Sequence, residues 1–398
     1  MSGRREFEAP YDGTLWLFIN AGGGWDPTSL CDPKGADYED QPDRMNNYLA
    51  ADIEEAGNIR YAPVAGNAAF FQKYYQQTMI LNGLDMKTNG HDAGNRHMWS
   101  GRLSEGHPTL PAFIAGAFSP AQPMSFLSYG GYSDTAGMVA KTQLGALGPL
   151  LNLAYPDRFN GQDEMSPTFH SAQTEELIYQ AHLEREEAML NAQMLPRIKQ
   201  SMSTLFTSRS GSSELKLLQQ YLPETLSDNQ VGQQGQVAVA AYKAGICVSS
   251  MLSTGGFDTH GDHDNNHFPR LQTITEGIDA ILTFAEQLDV LDKVFICVGS
   301  DFGRTPGYND GMGKDHWPIT SMMFMGAGVP GNTVIGETTE RHEAKGVDLA
   351  TLQVDNSGGG TNIEPGNVIA SIRQLAGLGQ SEFTAMFPVD KEPLPLFG

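Results

Sequence analysis

The chain has 398 residues, 40% of them hydrophobic, so it can bury a large core and is no candidate for global disorder. Its 47 acids against 25 bases leave a formal net charge of −22, a field that repels nucleic acid and anionic membrane surfaces and would repel an anionic ligand unless a bound cation reversed the sign locally. No apolar run reaches eighteen residues, so no membrane-inserted helix is expected, and the three cysteines, Cys31, Cys247 and Cys297, suit neither a disulfide framework nor a zinc knuckle.

In chain order, the start carries an Arg4-Arg5 pair that echoes a twin-arginine signal, but Glu8-Ala-Pro-Tyr-Asp follows where an apolar region belongs, so the pair is read as carrying no export meaning. Thr14–Asn20 is an apolar run ending in Ala-Gly-Gly-Gly-Trp-Asp26, a buried strand entering a tight turn. Pro27–Arg60, with Asp32, Asp37, Glu39, Asp40 and Asp43, reads as a surface loop. Helix pattern covers Phe70–Gln77 and strand pattern Thr78–Leu84. His91 and Asp92 follow at the start of another helix, where free N–H groups favour an anion; N-capping by Asp92 with a surface His91 is the plainer alternative.

A helix over Pro111–Ala117 and a strand over Met124–Leu127 come next, then Gly-rich Gly130–Pro149 without clear period. Helical pattern runs from about Phe169 to Arg209, broken near Pro196, and again over Ser213–Tyr221. The acids of that region read as a solvated helix face. Asp228–Gln236 reads as a polar, Gln-rich linker, so residues 162–236 are expected to be a helical insertion in one domain spanning 1–398. Val237–Gly245 is helical and Ile246–Leu252 a strand; Phe268–Leu288 is a helix with Leu271, Ile274, Ile278 and Ile281 at helical spacing. Strands at Val294–Val298 and Ser321–Met325 and a helix at Asn362–Gly377 complete the alternation. Strands alternating with helices predict an α/β fold with a mostly parallel sheet flanked by helices, in three α/β/α layers.

Chemistry-bearing residues concentrate in Gly255–His267, GGFDTHGDHDNNH, directly after a predicted strand. Asp258, His260, Asp262, His263 and Asp264 fall within seven positions. Asp301 ends the next strand, and Asp315-His316 follow in the loop after it. Ends of neighbouring parallel strands converge in open sheets. Carboxylate and imidazole together suit a divalent transition ion, zinc first, with manganese or calcium as alternatives. Asp258, His260 and His316 are expected as ligands, with Asp301 either a fourth ligand or a turn cap. His263, Asp262, Asp264 and His267 are expected to be solvated or helix-start residues, and Trp25, Trp99 and Trp317 to pack. Arg304 is expected either to bind a substrate anion or to pair with Asp301 or Asp258.

The pieces GGFDTH (255–260), GSDFGRTP (299–306) and GKDHWP (313–318), in this order, resemble the bacterial DUF1501 family of the alkaline phosphatase-like superfamily, which includes sulfatases and phosphomutases. The resemblance spans about Leu15 to Gly331. It implies Asp258, His260 (or His263) and His316 as ligands of one metal and Asp301 as a ligand of a second. Three positions depart from the superfamily pattern. Phe302 stands where alkaline phosphatases carry a metal-binding histidine, Asn20 or Ala21 where they carry an aspartate, and His91-Asp92 near the nucleophile position. Cys31, in Cys-Asp-Pro-Lys, lacks the sulfatase pattern.

Two functions follow from the resemblance. One is a metal-dependent hydrolase of phosphate or sulfate esters, on a small molecule or glycan, using a metal-bound water with Asp92, His91 or Asp301 as base and Arg304 or Lys314 holding an anionic oxygen. The other is a catalytically degenerate metal-binding member serving as a cell-surface binding or assembly protein, alone, as a homo-oligomer or with a protein partner. The resemblance implies a periplasmic or extracellular setting, with a cytoplasmic one left open by the incomplete signal.

Overall fold

A computed structural model describes residues 10–145, 152, 154, 155, 157–161, 163, 165–210 and 212–398. The Arg4-Arg5 pair and the end of the Gly-rich stretch, residues 146–149, lie outside them. In chain order the strands are β1 Leu15–Ala21, β2 Glu54–Ala56, β3 Ile59–Tyr61, β4 Thr78–Asp85, β5 Phe126–Ser128, β6 Lys141–Gln143, β7 Ser249–Thr254, β8 Val294–Ser300, β9 Gly303–Arg304, β10 His316–Trp317, β11 Ile319–Gly326 and β12 Thr333–Ile335.

Eight of these form one sheet in the order β12-β4-β11-β8-β1-β7-β5-β6. Every neighbouring pair is parallel except those made by β11, which runs antiparallel to β4 and β8. The alternation of β1 explains why the sheet needs cover on both faces. Leu15, Leu17 and Ile19 enter one core, while Trp16 and Phe18 enter the other. The first core is closed by the helices Asn67–Tyr74, Gln230–Lys243 and His263–Gln287, and the second by His91–Ser100, Leu110–Phe118 and Pro365–Leu375. Each large apolar side chain fully buried here contributes roughly 1.5–3 kcal/mol. The molecule is thus a mixed α/β protein with a mostly parallel central sheet flanked by helices. Among the described residues no helix is long and apolar enough to cross a membrane.

Two expectations are corrected. Asp228–Gln236 is not a linker: from Gln230 it is helix, capped by Asn229, whose Oδ1 accepts from the Gly232 amide at 3.0 Å. Its polarity serves the sheet, since the Gln234 side chain accepts from the Ser253 amide and donates to the Ser253 carbonyl on β7. Nor is the start of Pro27–Arg60 a surface loop. Thr28, Ser29, Leu30, Cys31 and Asp32 are all buried, and the segment ends in the β2–β3 hairpin. Cys31, Cys247 and Cys297 are free thiols, pushed up by burial.

In chain order, between the helices Leu110–Phe118 and Gln230–Lys243, come Ala172–Ala192, Pro196–Ser210 and Ser212–Gln219, in the segment where helices are expected; Leu215 and Leu218 of the last join the first core. The helix Ala172–Ala192 buries none of its residues.

Candidate functional site

The topology sets the site. β1, β4, β7 and β8 all end at the same edge of the sheet, and β11 enters from that edge in the opposite sense. The turn Gly22–Trp25 follows β1, the helix start at His91 follows β4, Asp258 and His260 follow β7, Asp301 and Arg304 follow β8, and His316 precedes β11.

Asp258 is the centre. Its Oδ1 lies 2.7 Å from Arg304 Nη2, 3.0 Å from His260 Nε2 and 3.1 Å from His316 Nε2, and its Oδ2 lies 3.5 Å from His91 Nε2. The Nε2 atoms of His260 and His316 are 3.1 Å apart. Burial alone would raise the Asp258 carboxyl, but the Arg304 guanidinium and His316 outweigh it and bring the group down to about 2. The ligating atoms of His91, Asp258 and His316 all lie within 4.8 Å of one another, with no ion present.

Each imidazole is held by its other nitrogen. His316 Nδ1 is 2.8 Å from the Asn89 carbonyl, which can only accept, so Nδ1 carries the proton. His260 Nδ1 is 2.6 Å from Asp315 Oδ1, and His91 Nδ1 is 2.5 Å from Asp301 Oδ2. All three rings therefore turn Nε2 towards the Asp258 carboxylate. Three ring nitrogens packed on one carboxylate call for a positive charge among them beyond Arg304, carried by protons on Nε2 or by a bound cation. Metal bonds of about 2.0–2.1 Å set tetrahedral ligand atoms roughly 3.3 Å apart; His260 and His316 Nε2 stand 3.0 and 3.1 Å from Asp258 Oδ1, and His91 Nε2 stands 3.5 Å from the other oxygen, Oδ2. The donor set of three nitrogens and a carboxylate fits a divalent transition ion better than calcium.

The surroundings fix this arrangement. Buried Asp301 accepts from the Gly23 amide at 3.0 Å, the Gly24 amide at 2.6 Å and Ser300 Oγ at 3.0 Å, leaving Oδ2 to orient His91. The His91 helix can approach because residue 94 is glycine: a Cβ there would fall on the Asp301 carbonyl. Phe302, buried, packs its ring 4.8 Å from that of His91 and 4.4 Å from that of His316, an apolar wall beside them. Arg304 is buried, and besides Asp258 its donors reach the carbonyls of Gly23, Gly24 and Lys314.

Of the residues singled out in the sequence, Asp258, His260, His316 and His91 converge, and Asp301 stands behind His91 rather than among the inward-facing atoms. Arg304 grips Asp258, one of the two alternatives its position allowed. Asp92 is exposed in the first helical turn, the N-cap is Gly90, and no described residue engages Asp92. His263 and His267 lie at the start of the helix His263–Gln287, one of the two places expected for them, but both are fully buried rather than solvated. They extend the buried stripe of Leu271, Ile274 and Ile278 towards the helix start, at a spacing of four residues, which the sequence did display.

These two histidines belong to a second cluster that sequence reasoning missed. Buried Asp26 accepts from Lys314 Nζ at 2.6 Å and from the Thr28 amide at 2.9 Å. Lys314 also donates to Asn46 Oδ1 at 2.8 Å. The Asp26 amide donates to His267 Nε2 at 2.9 Å, so His267 is protonated on Nδ1, which faces Thr259 Oγ1 at 3.2 Å; that hydroxyl is 2.7 Å from His263 Nδ1. Burial and the neighbouring His263 hold His267 well below the ordinary imidazole range. Burial would raise Asp26, but Lys314 and His263 hold it well below the usual carboxylate range. The cluster ties the Gly22–Trp25 turn to residues 313–316, and so ties the two segments that carry Asp301's amides and His316.

Fold and site together define an α/β protein with a histidine–carboxylate cluster at the carboxyl ends of its strands. The chain belongs to the DUF1501 family, described as "Protein of unknown function (DUF1501)", whose profile matches residues 15–354. No curated protein matches it. Among solved structures it is similar to Ps i-CgsB in complex with k-i-k-neocarrahexaose, at 8% identity and a TM-score of 0.44, over 96% of this chain and 75% of that one. It is also similar to the lipoteichoic acid synthase LtaP from Listeria monocytogenes, at 7% identity and a TM-score of 0.41, over 96% and 76%. A third is the PsFucS1 sulfatase from Pseudoalteromonas sp., at 10% identity and a TM-score of 0.38, over 92% and 68%.

Proposed function

We propose that the chain is a metal-dependent hydrolase of sulfate or phosphate esters whose centre is His91, His260, His316 and Asp258. The observation that carries this reading is the shared orientation of the three imidazoles, each committed outwards through Nδ1 and each turning Nε2 to one carboxylate. A divalent cation of the zinc class, when bound, supplies Lewis acidity and lowers the pKa of water. The protein's own part is positioning. Asp301 and Asp315 hold two rings, Arg304 holds Asp258, and Phe302 keeps the inner wall dry. Of the residues expected to act in proton and anion chemistry, His91 becomes a ligand and Arg304 a clamp, while nothing in the reading rests on Asp92. The ester class comes from the sequence resemblance and from the need for a cation to draw an anion to a chain of charge −22.

The test is elemental analysis of the purified protein followed by hydrolysis assays on phosphomonoester, phosphodiester and sulfate panels with and without EDTA. One divalent ion per chain and an EDTA-sensitive activity are expected. A metal-replete preparation inactive on all panels overturns the hydrolase reading.

One observation favours a second reading. Among the described residues no hydroxyl or thiol faces the cluster as a free nucleophile: Ser300 Oγ is spent on the Ala21 carbonyl, the Trp25 amide and Asp301, and Cys31 is buried. In that reading the cation centre is structural or binds a partner at the cell surface. Asp258→Ala and His316→Ala then lower thermal stability or abolish association, with no turnover in any variant.

A further inference from the structure

The site's two buried cations are engaged within the protein. Arg304 is divided among Asp258 and three backbone carbonyls, and Lys314 is held by Asp26 and Asn46. Arg304 spends four of its five donors and is fully buried, and Lys314 is buried with its ammonium held by Asp26 and Asn46, so neither is presented to a ligand. A third cation differs. Arg270, exposed on the helix His263–Gln287, lines a cavity of about 320 Å³ together with Gly256, Asp258, Thr259, His260, Gly261 and Asn266. Among the described residues no hydrogen bond, ion pair or ring contact engages it, although acids outnumber bases by 47 to 25. Arg96 and Arg102, by contrast, pair with Glu105 and Asp390.

The strand end leaves room for this guanidinium. Gly256 adopts a φ of +91°, and a Cβ there would lie 2.8 Å from Arg270 Nε and 3.2 Å from its Cζ. Any other residue at 256 would be strained and would displace the side chain. Asn266 gives both donors to the Gly261 and Asp262 carbonyls, so it adds no competing charge. The cavity therefore has the cation cluster's Asp258 and His260 on its wall and an unspent guanidinium, with five donors in a planar fork, beside them.

We infer that Arg270 is the residue that binds the oxyanion of the substrate, a terminal sulfate or phosphate ester seated in this cavity against the His260–Asp258 cluster. The inference rests on the reading of that cluster as a cation centre. A cavity of about 320 Å³ is at the small end of ligand sites, matching one ester-bearing sugar ring or a group of similar size rather than a long chain. A guanidinium offers two parallel hydrogen bonds to a tetrahedral oxyanion, and a lysine in its place keeps the charge but loses the fork.

The experiment is isothermal titration of inorganic sulfate and of inorganic phosphate into wild type, Arg270→Met and Arg270→Lys, each with and without added zinc, with metal content measured on the same samples. Arg270 is exposed and makes no contact that folding needs, so its variants are expected to keep their zinc. Arg270→Met is expected to weaken the better-bound anion about 10- to 100-fold, with Arg270→Lys in between. The preferred anion, sulfate or phosphate, identifies the ester. Unchanged affinity in Arg270→Met overturns the inference, as does a wild type that binds neither anion. A protein that takes up no zinc sinks the cation-centre reading instead, and the zinc-free titrations still report whether Arg270 holds the anion.

Discussion

Lys314 is buried with its ammonium 2.6 Å from Asp26 Oδ2 and 2.8 Å from Asn46 Oδ1. Replacing it by methionine keeps most of the volume and leaves the Asp26 charge buried without its cation. Breaking a buried pair from one side costs about 3–5 kcal/mol. At about 2.1 cal/mol/K per residue, 398 residues give an unfolding entropy near 0.8 kcal/mol/K, so Lys314→Met should lower Tm by roughly 4–6 °C. Asp26→Asn combined with Lys314→Met removes both charges and should recover part of that loss. Calorimetry on wild type, both single variants and the double variant closes the cycle. A Tm for Lys314→Met within about 1 °C of wild type, or a double variant that loses the sum of the singles, would falsify the claim that this pair is a coupled buried ion pair. Zinc affinity should fall alongside Tm in Lys314→Met, because the Lys314 carbonyl accepts from Arg304 and His316 lies two residues on.

Asp301→Asn should weaken cation binding about 10- to 100-fold while Tm changes less, since it disturbs the residue that orients His91 rather than an inward-facing ligand; competition with a chelating dye measures this. Gly94→Ala pushes the His91 helix off the Asp301 carbonyl and should cost about 1–3 kcal/mol and reduce zinc affinity, whereas Ala93→Gly on the same helix should cost about 1 kcal/mol and spare zinc. The pH dependence has a definite sign. His267 titrates lower folded than unfolded, so the unfolded chain binds the extra proton, and stability present above about pH 6.5 is lost as pH falls below it. Asp26, also depressed, adds a second loss below about pH 4. Tm measured from pH 7.5 to 5 should fall more steeply in wild type than in His267→Gln; equal slopes would remove His267 from the account.

Much of the fold was legible because buried strands in a two-sided sheet are short apolar runs. β1, β4, β8 and β11 lie within one or two residues of the runs read from sequence. Their order, and the reversal of β11, was not legible, since periodicity carries no information on direction. At the site, Asp258, His260 and His316 were found through residue type and position after strands. His91 was placed at the site through the resemblance, as a base; that it faces Asp258 and His316 was not legible, because those residues follow β7 and begin β10, far along the chain. The Asp26–Lys314 pair was invisible for the same reason: its partners are 288 residues apart. That His263 and His267 are buried was not read, although they were placed at the helix start, because polar type was weighed above spacing; both sit on the stripe that buries Leu271.

The register of β1 also sets when this protein can exist during its synthesis. Leu15 pairs with Val294 and Trp16 with Ser249, so the first strand made lies between two of the last. Asp301 reaches the amide of Gly23 across 278 residues. At about 5–20 residues per second, a ribosome takes roughly 15–55 s to supply that partner. For most of that interval, until β7 has been made, the apolar segment Leu15–Ala21 has no native neighbour on either side, and until β8 has been made it has one. The nascent chain therefore depends on whatever shields that strand, and a cation centre cannot assemble before residue 316 has emerged.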